Sequence, residues 1–309
     1  MKIRMTTLTL SEITSAYEAQ WDCWPDTRLR YDALGATERR IERFGEFPLI
    51  VQCNPARAIS TEAKTDARSI AERPCFLCQV NRPHEQQCIT QVGDFEVLVN
   101  PFPVFPVHFT VVNRNHIRQA GPTPDMIELA AKAPDLAVFF NGAKAGASAP
   151  DHLHFQAVLK SELPLLEFVE RRHSAGNGLL MCSDDIEPKL PMRFLSAVIP
   201  PDHEGMMIAR AILGGAGWDL DLINLFVWTG DNGLLRMILL PRTKHRPDNY
   251  GDAPGFHISP GALDMIGVMI VPRPDDFNRL TRDDIIDIYN QVSVSADTLH
   301  LLRANITTK

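Results

Sequence analysis

The chain has 309 residues, 45% of them hydrophobic, and a formal net charge of −7. That is enough apolar material for one large domain or two intimate halves, and the acidic balance gives no general attraction to nucleic acid or to an anionic membrane. No stretch approaches the roughly 20 apolar residues of a membrane span, no apolar core of a secretory signal follows Met1, and six cysteines, four of them isolated, fit a reducing cytoplasm better than a disulfide scaffold.

Residues 10–24 predict a short helix with Ile13, Tyr17 and Trp21 on one stripe and Pro25 closing it. Residues 26–46 are charged and read as helical or irregular, so 1–46 form an N-terminal helical segment. Residues 47–53 predict the first strand, turned by Asn54-Pro55 and followed by Arg57. A polar connector, 58–74, ends at Pro74 immediately before Cys75-Phe76-Leu77-Cys78. Residues 95–100 and 107–113 predict a strand and its return, separated by a loop with prolines at 101, 103 and 106. Pro124 to Ala133 reads as a helix, Leu136–Phe140 as a buried strand, and 141–150 as a loop of small residues. Residues 151–159 read as the next strand.

The remainder repeats this rhythm. Leu222–Trp228 and Leu234–Leu240 predict a hairpin around Asn232-Gly233. Pro241 to Arg246 stands about where Asn113–His116 stands in the first half, but no second His-x-His follows. Thr281 with Asp284 predicts a capping box opening a helix through about Asn290.

The chemistry concentrates in Asp151-His152-Leu153-His154-Phe155-Gln156. Strand alternation projects His152, His154 and Gln156 from one face and sends Leu153 and Phe155 to the core. The open loop from Asn141 lets a phosphate approach the backbone closely. An imidazole held there can attack phosphorus. A glutamine two residues on can hold a non-bridging oxygen but cannot donate a proton as an acid would. The Cys75/Cys78 pair with separate histidines supplies ligands that zinc prefers, a redox role being the alternative. An acidic chain must also supply its own cations to a phosphate; Arg57, Arg73 and Lys144 are candidates by position, and each reads equally as a solvated surface charge. His84, His173, His203, His245, His257 and His300 have no motif around them and read as packing or surface residues, as do the tryptophans.

In order, these pieces resemble the histidine-triad (HIT) superfamily, and within it the transferase branch of galactose-1-phosphate uridylyltransferase, diadenosine tetraphosphate phosphorylase and the GDP-hexose phosphorylases. Asn141 and His152 stand eleven residues apart, as in the uridylyltransferase motif, with Gly146 and Ser148 in register. Asn100-Pro101-Phe102-Pro103 followed by Pro106-Val107-His108-Phe109 resembles the superfamily's nucleotide-side hairpin, and 259–267 with 274–277 resembles the C-terminal region of GDP-hexose phosphorylases. The resemblance covers residues 50–160 and, more faintly, 220–295; residues 1–45 match nothing.

It implies an α+β fold of antiparallel sheets with flanking helices, in two HIT-type halves. The first (47–165) would be catalytic and the second (166–309) a degenerate copy packed on it. It implies that His154 is the nucleophile and that Gln156, where hydrolytic members carry a third histidine, favours transfer or phosphorolysis over hydrolysis. His152 would join Cys75, Cys78 and His116 in a structural zinc site, with His108 as an alternative to His116. Asn141, Gly146, Ser148, Arg57, Asn100 and Lys144 would bind substrate. The expected activity is ping-pong nucleotidyl transfer from a nucleoside diphosphate sugar to phosphate or a sugar 1-phosphate. Phosphorolysis of a dinucleoside polyphosphate and a non-catalytic, zinc-stabilised nucleotide-binding protein are the alternatives. The expected partners are the nucleotide substrate and a phosphorylated acceptor, with neither nucleic acid nor membrane, and a homodimer stays open.

Overall fold

The computed structural model describes residues 9–57, 66–174, 180–187 and 189–307. The chain begins with α1 (Leu10–Cys23) and α2 (Pro25–Asp32). Thr9 and Glu12 form a capping box at the start of α1. Pro25 does more than close α1: it stands in the first turn of α2, where its missing N–H costs nothing.

Within 26–46, expected to be helical or irregular, α2 is helical as far as Asp32 but residues 38–44 form a strand. β1 (Glu38–Phe44) pairs antiparallel with β2 (Phe47–Cys53) through a turn where Gly45 has φ 59°. β1 is an edge strand, exposing Glu38, Arg39, Ile41 and Arg43. Charge on an edge strand discourages pairing with other chains and masks the strand signal in the sequence. Beyond Arg57, residues 58–65 of the expected connector lie outside the described residues, and 67–72 form a short helix capped by Asp66.

The main sheet has nine strands in the order β3-β4-β5-β7-β6-β10-β11-β9-β8. They are β3 (Cys88–Val92), β4 (Phe95–Val99), β5 (His108–Asn113), β6 (Leu136–Asn141), β7 (His154–Leu159), β8 (Leu180–Cys182), β9 (Leu195–Ile199), β10 (Ile223–Thr229) and β11 (Leu235–Pro241). β4-β5-β7-β6 and β8-β9-β11-β10 follow the same path: in each, the second strand pairs with the fourth and the third lies beyond it. The two sets meet antiparallel through their third strands, β6 and β10. This is the α+β fold of antiparallel sheet and flanking helices expected, with both halves in one continuous sheet. The predicted hairpin joins β10 to β11, with Gly233 at φ 78°.

Side-chain alternation sends the two faces of this sheet into different cores. Leu136, Val138 and Phe140 of β6 join Phe155, Leu153, Tyr17, Trp24 and Tyr31 under a helical layer that includes α1, α2 and the helices Pro124–Lys132, His203–Ala216 and Ala296–Thr307. Ala137 and Phe139 face the other way. They pack with β2, with β12 (Val268–Val271, parallel to β2) and with the helices Pro164–Ser174 and Arg282–Val292. The small sheet β1-β2-β12 thus covers one face of the large one and ties chain before residue 54 to chain after residue 267. Thr281 and Asp284 form the expected capping box.

The histidine strand is shorter than the alternation suggested. Residues 151 and 152 form a turn and β7 begins at His154. His152 N–H donates within the turn to Ala149 C=O at 3.1 Å, and Leu153 N–H donates to Ile117 C=O at 2.6 Å in the segment after β5, so the regular ladder starts only at His154.

Candidate active site

His154 is buried, and its backbone is gripped before its ring is. Gln119, fully buried, accepts from His154 N–H at 2.8 Å and donates to His154 C=O at 3.0 Å and to Asn141 C=O at 2.8 Å. One amide therefore bridges β6 and β7 at the point where both deliver polar residues. The His154 ring Nδ1–H donates to His152 C=O at 2.8 Å. That fixes the tautomer and leaves Nε2 as the lone-pair nitrogen of a side chain lining the cavity. Burial pushes its pKa down to about 4, so the imidazole is neutral near pH 7.

Gln156, two residues on and on the same side of β7, is oriented by His108. Val104 N–H donates to His108 Nδ1 at 3.1 Å, so the ring proton sits on Nε2, which donates to Gln156 Oε1 at 2.8 Å. The Gln156 oxygen is thereby occupied and its amide N–H groups are the atoms left for the cavity. Burial, reinforced by the Arg57 charge, holds the His108 pKa at about 3. His108 itself is clamped through its backbone. Its N–H donates to Tyr17 Oη at 2.6 Å, and its C=O accepts from Tyr17 Oη at 2.7 Å and Tyr31 Oη at 3.0 Å. α1 and α2, to which sequence alone assigned no task, therefore hold the start of β5.

A cavity of about 550 Å³ opens over His154 and Gln156. Its wall includes Asn100, Asn141, Gly146, Ser148 and Arg57, bringing five of the six expected substrate-binding residues together. Arg57 donates to Phe102 C=O at 2.6 Å, while its buried Nε has no partner among the described residues. Burial lowers its pKa to about 10, still well above neutrality. Asn141 and Asn100 spend their oxygens on the protein. Asn141 Oδ1 accepts from Ala262 N–H at 2.7 Å and Asn224 Nδ2 at 3.0 Å, and Asn100 Oδ1 accepts from Phe102 N–H at 2.8 Å. Gly146, at φ 98°, packs so tightly that a Cβ there would lie 2.6 Å from Gly261 Cα. Lys144 is not brought to the cavity wall: its ammonium lies 3.4 Å from Asp219 and 3.4 Å from Asp221, on the surface. Arg73 does not itself line the cavity: it is held by Asp151 at 2.6 Å and stacks over Phe76, which does.

Several wall residues went unread in the sequence. Trp24, Phe76 and Phe102 present aromatic surface, with Asp26 and Glu85 beside them and Arg30 over the Phe102 ring at 4.8 Å. Trp24 had been assigned to packing alone. The second half contributes His245, Arg246, Ser259, Ala262 and Asp264. His245 is thus not a bystander; the signals pointing to this part of the wall are the place of Pro241 to Arg246 opposite Asn113–His116 and the resemblance of 259–267.

The four residues of the expected metal site converge. Cys75 Sγ lies 3.3 Å from His152 Nδ1 and Cys78 Sγ 3.2 Å from His116 Nδ1; all four donor atoms fall within 4.8 Å of one another. His152 Nε2–H donates to Asn113 C=O at 2.7 Å, which aims Nδ1 at the cysteines, as a ligating imidazole is usually held by a carbonyl on its other nitrogen. Two thiols and two imidazoles in a closed cluster are the donor set of a structural tetrahedral metal site. His108 belongs to Gln156 instead and is no substitute for His116.

Comparison with known proteins agrees with this architecture. A family model described as a domain of unknown function (DUF4922) matches residues 16–159. No curated protein matches the chain. Among solved structures, yeast Ap4A phosphorylase Apa2 in complex with AMP superposes with a TM-score of 0.56 at 15% identity, covering 89% of this chain and 98% of that one. The same enzyme in complex with Ap4A gives a TM-score of 0.56 at 15% identity over 88% and 97%. The fold is thus shared with that enzyme over nearly the whole of both chains. Among the described residues no helix is long and apolar enough to cross a membrane.

Proposed function

We propose that this protein transfers a nucleotidyl group from a phosphoanhydride-linked nucleotide to a phosphorylated acceptor through a covalent nucleotidyl-His154. The observation that carries the reading is the His154 tautomer: Nδ1–H bound to His152 C=O, Nε2 bearing the lone pair, in a cavity wall shared with Gln156.

In the first step Nε2 attacks the α-phosphorus. The N–P bond forms, the P–O bond to the leaving phosphorylated group breaks, and that oxygen keeps the electron pair. The imidazolium charge is stabilised through the Nδ1–H bond to His152 C=O. In the second step a phosphate oxygen of the acceptor attacks phosphorus and the electron pair of the N–P bond returns to Nε2. Gln156 N–H and Arg57 face the non-bridging oxygens, where charge accumulates. Gln156 cannot supply a proton, which suits leaving groups already stable as anions. The aromatic wall of Trp24, Phe76 and Phe102 suits a base, and Asp26 and Glu85 suit hydroxyl or amino donors of a nucleoside.

Cys75, Cys78, His116 and His152 fit zinc, which in such a site supplies structural cross-linking. Their part is positional. They fix the His152 carbonyl that orients His154, and Phe76, between the two cysteines, lines the cavity.

The yeast neighbour's fold match over both chains favours a dinucleoside polyphosphate as substrate, cleaved by phosphate. A nucleoside diphosphate sugar is the second reading, supported by the Asn141–His152 spacing. Intact-mass spectrometry after incubation with each substrate class, without acceptor, tests the reading. One nucleoside monophosphate should be added, be lost in mild acid, and be absent from His154→Ala. Turnover by a folded His154→Ala protein at near wild-type rate would sink it.

A further inference from the structure

The chain after β11 is pinned into the cavity wall by an unusual hub. Arg242, fully buried, donates to C=O of Val292, Pro260, Lys244 and His245 and to Asn224 Oδ1. This fixes the backbone leading to Arg246. The Arg246 Nε donates to Ser259 Oγ at 2.9 Å, its guanidinium stacks on Tyr250 at 4.2 Å, and Ser259 Oγ lies 3.0 Å from His245 Nε2. Ser259, Arg246 and His245 all line the cavity. Two residues beyond Ser259, Gly261 abuts Gly146 of the loop preceding His154.

We propose that Arg246, held by Ser259 and Tyr250 and flanked by His245, is the subsite for the phosphate group that departs from the nucleotide and for the acceptor phosphate that replaces it. The ligand class is a phosphate monoester, inorganic phosphate or an inorganic polyphosphate. This rests on the nucleotidyl-transfer reading of His154.

The placement follows from the layers. His154 projects from the large sheet, whereas Ala262 and Leu263 pack with Phe139 in the layer that covers that face. In-line displacement puts the leaving group on the side of phosphorus away from Nε2, toward that covering layer. The acceptor must attack from where the leaving group left, so one cationic site serves both steps. Arg57 stands beside Gln156 and His108 and serves the transferred phosphoryl group; a second phosphate needs a second cation, because the protein's net charge of −7 supplies no background attraction. A guanidinium fixed at Nε and stacked on a ring has its planar fork pre-organised for phosphate oxygens.

The test is isothermal titration of the full chain with inorganic tripolyphosphate and, separately, with AMP, GMP and UMP. The proteins compared are wild type, Arg246→Ala, Arg246→Lys and Ser259→Ala, each first shown to be folded by circular dichroism. Arg246→Ala should lose about tenfold or more in tripolyphosphate affinity, as loss of a charged hydrogen-bond donor implies. Affinity for whichever monophosphate binds should change by less than about twofold. Arg246→Lys should fall between, since it keeps charge but not the fork, and Ser259→Ala should weaken tripolyphosphate alone. Unchanged tripolyphosphate binding in Arg246→Ala, or an equal loss for the monophosphate, overturns the proposal. If Arg246→Ala does not fold, the other two variants decide in the same way. The outcomes also separate the two readings. Arg246-dependent tripolyphosphate binding with no adduct on His154 leaves the subsite standing and removes the transfer mechanism. An adduct with Arg246-independent tripolyphosphate binding does the reverse.

Discussion

Replacing Tyr17 with Phe removes one hydroxyl and puts no polar group in its place, and so tests whether α1 holds the start of β5. The Tyr17 hydroxyl is the partner of His108 N–H at 2.6 Å, and both residues are buried. Without it that N–H is orphaned, which costs about 1–3 kcal/mol. The His108 carbonyl loses less, because it still accepts from Tyr31 Oη at 3.0 Å and Asn100 N–H at 2.9 Å. Tyr31→Phe leaves no N–H orphaned; it removes a donor from the Asn100 and His108 carbonyls and should cost only about 0.5–1.5 kcal/mol. Chemical denaturation of both variants should therefore rank Tyr17→Phe as the less stable. Any shift of β5 passes through His108 to the Gln156 amide, so Tyr17→Phe should also lower kcat more than it raises KM. Equal stability of the two variants, or a stability loss with kcat unchanged, would refute the clamp.

Cys75→Ser should lower zinc content, from about one per chain in the wild type, and thermal stability together, as metal analysis beside a melting curve would reveal. A fully active, metal-free wild type would contradict it. Gly146→Ala should destabilise by at least about 2 kcal/mol and depress turnover, since it adds a Cβ at φ 98° against the Gly261 backbone; a neutral result in denaturant titration would contradict the close approach. Acid should weaken the fold. His108, His154 and His245 have folded pKa values pushed down by burial to about 3, about 4 and about 4, so the unfolded chain binds protons below about pH 6.5 that the folded chain refuses. Buried Asp264, raised to about 6, opposes this by holding one proton more in the folded state between about pH 6 and 4. Three protons against one leave stability falling by about 2.7 kcal/mol per pH unit as pH drops through about 5; unfolding free energies that rise over that interval would contradict these assignments.

The first half was legible because its chemistry is local in sequence. His154 and Gln156 are two residues apart on one strand, the cysteine pair has recognisable spacing, and Asn141 opens the loop that ends at the histidines. What escaped reading depends on contacts between distant residues. Tyr17 lies 91 residues from His108, and its place on an apolar stripe concealed that its hydroxyl does the bonding. Gln119 sits in no motif and binds β6 and β7 only once they are paired. β1 was hidden because an edge strand tolerates charge on both sides. Lys144 was misplaced for the converse reason: proximity in sequence to the loop said nothing about Asp219 and Asp221, which the fold brings beside it.

The second half has no His-x-His pair of its own, yet polar contacts join it to the first. Asn224 on β10 stands opposite Asn141 on β6 and donates to its side chain, while Arg242 donates to Asn224 Oδ1 at 2.7 Å. Arg242 is fully buried without a carboxylate among its hydrogen-bond partners, which is tolerable only when its donors are satisfied. Five acceptors meet that requirement, and they come from β10, from the 244–245 and 260 segments and from the end of the helix at Val292. Losing any one of these segments would strand a buried cation next to the loop that leads to His154. Two features of different kinds therefore join the second half to the first: a buried polar hub that spans several segments, and a cavity wall to which it contributes His245, Arg246 and Ser259.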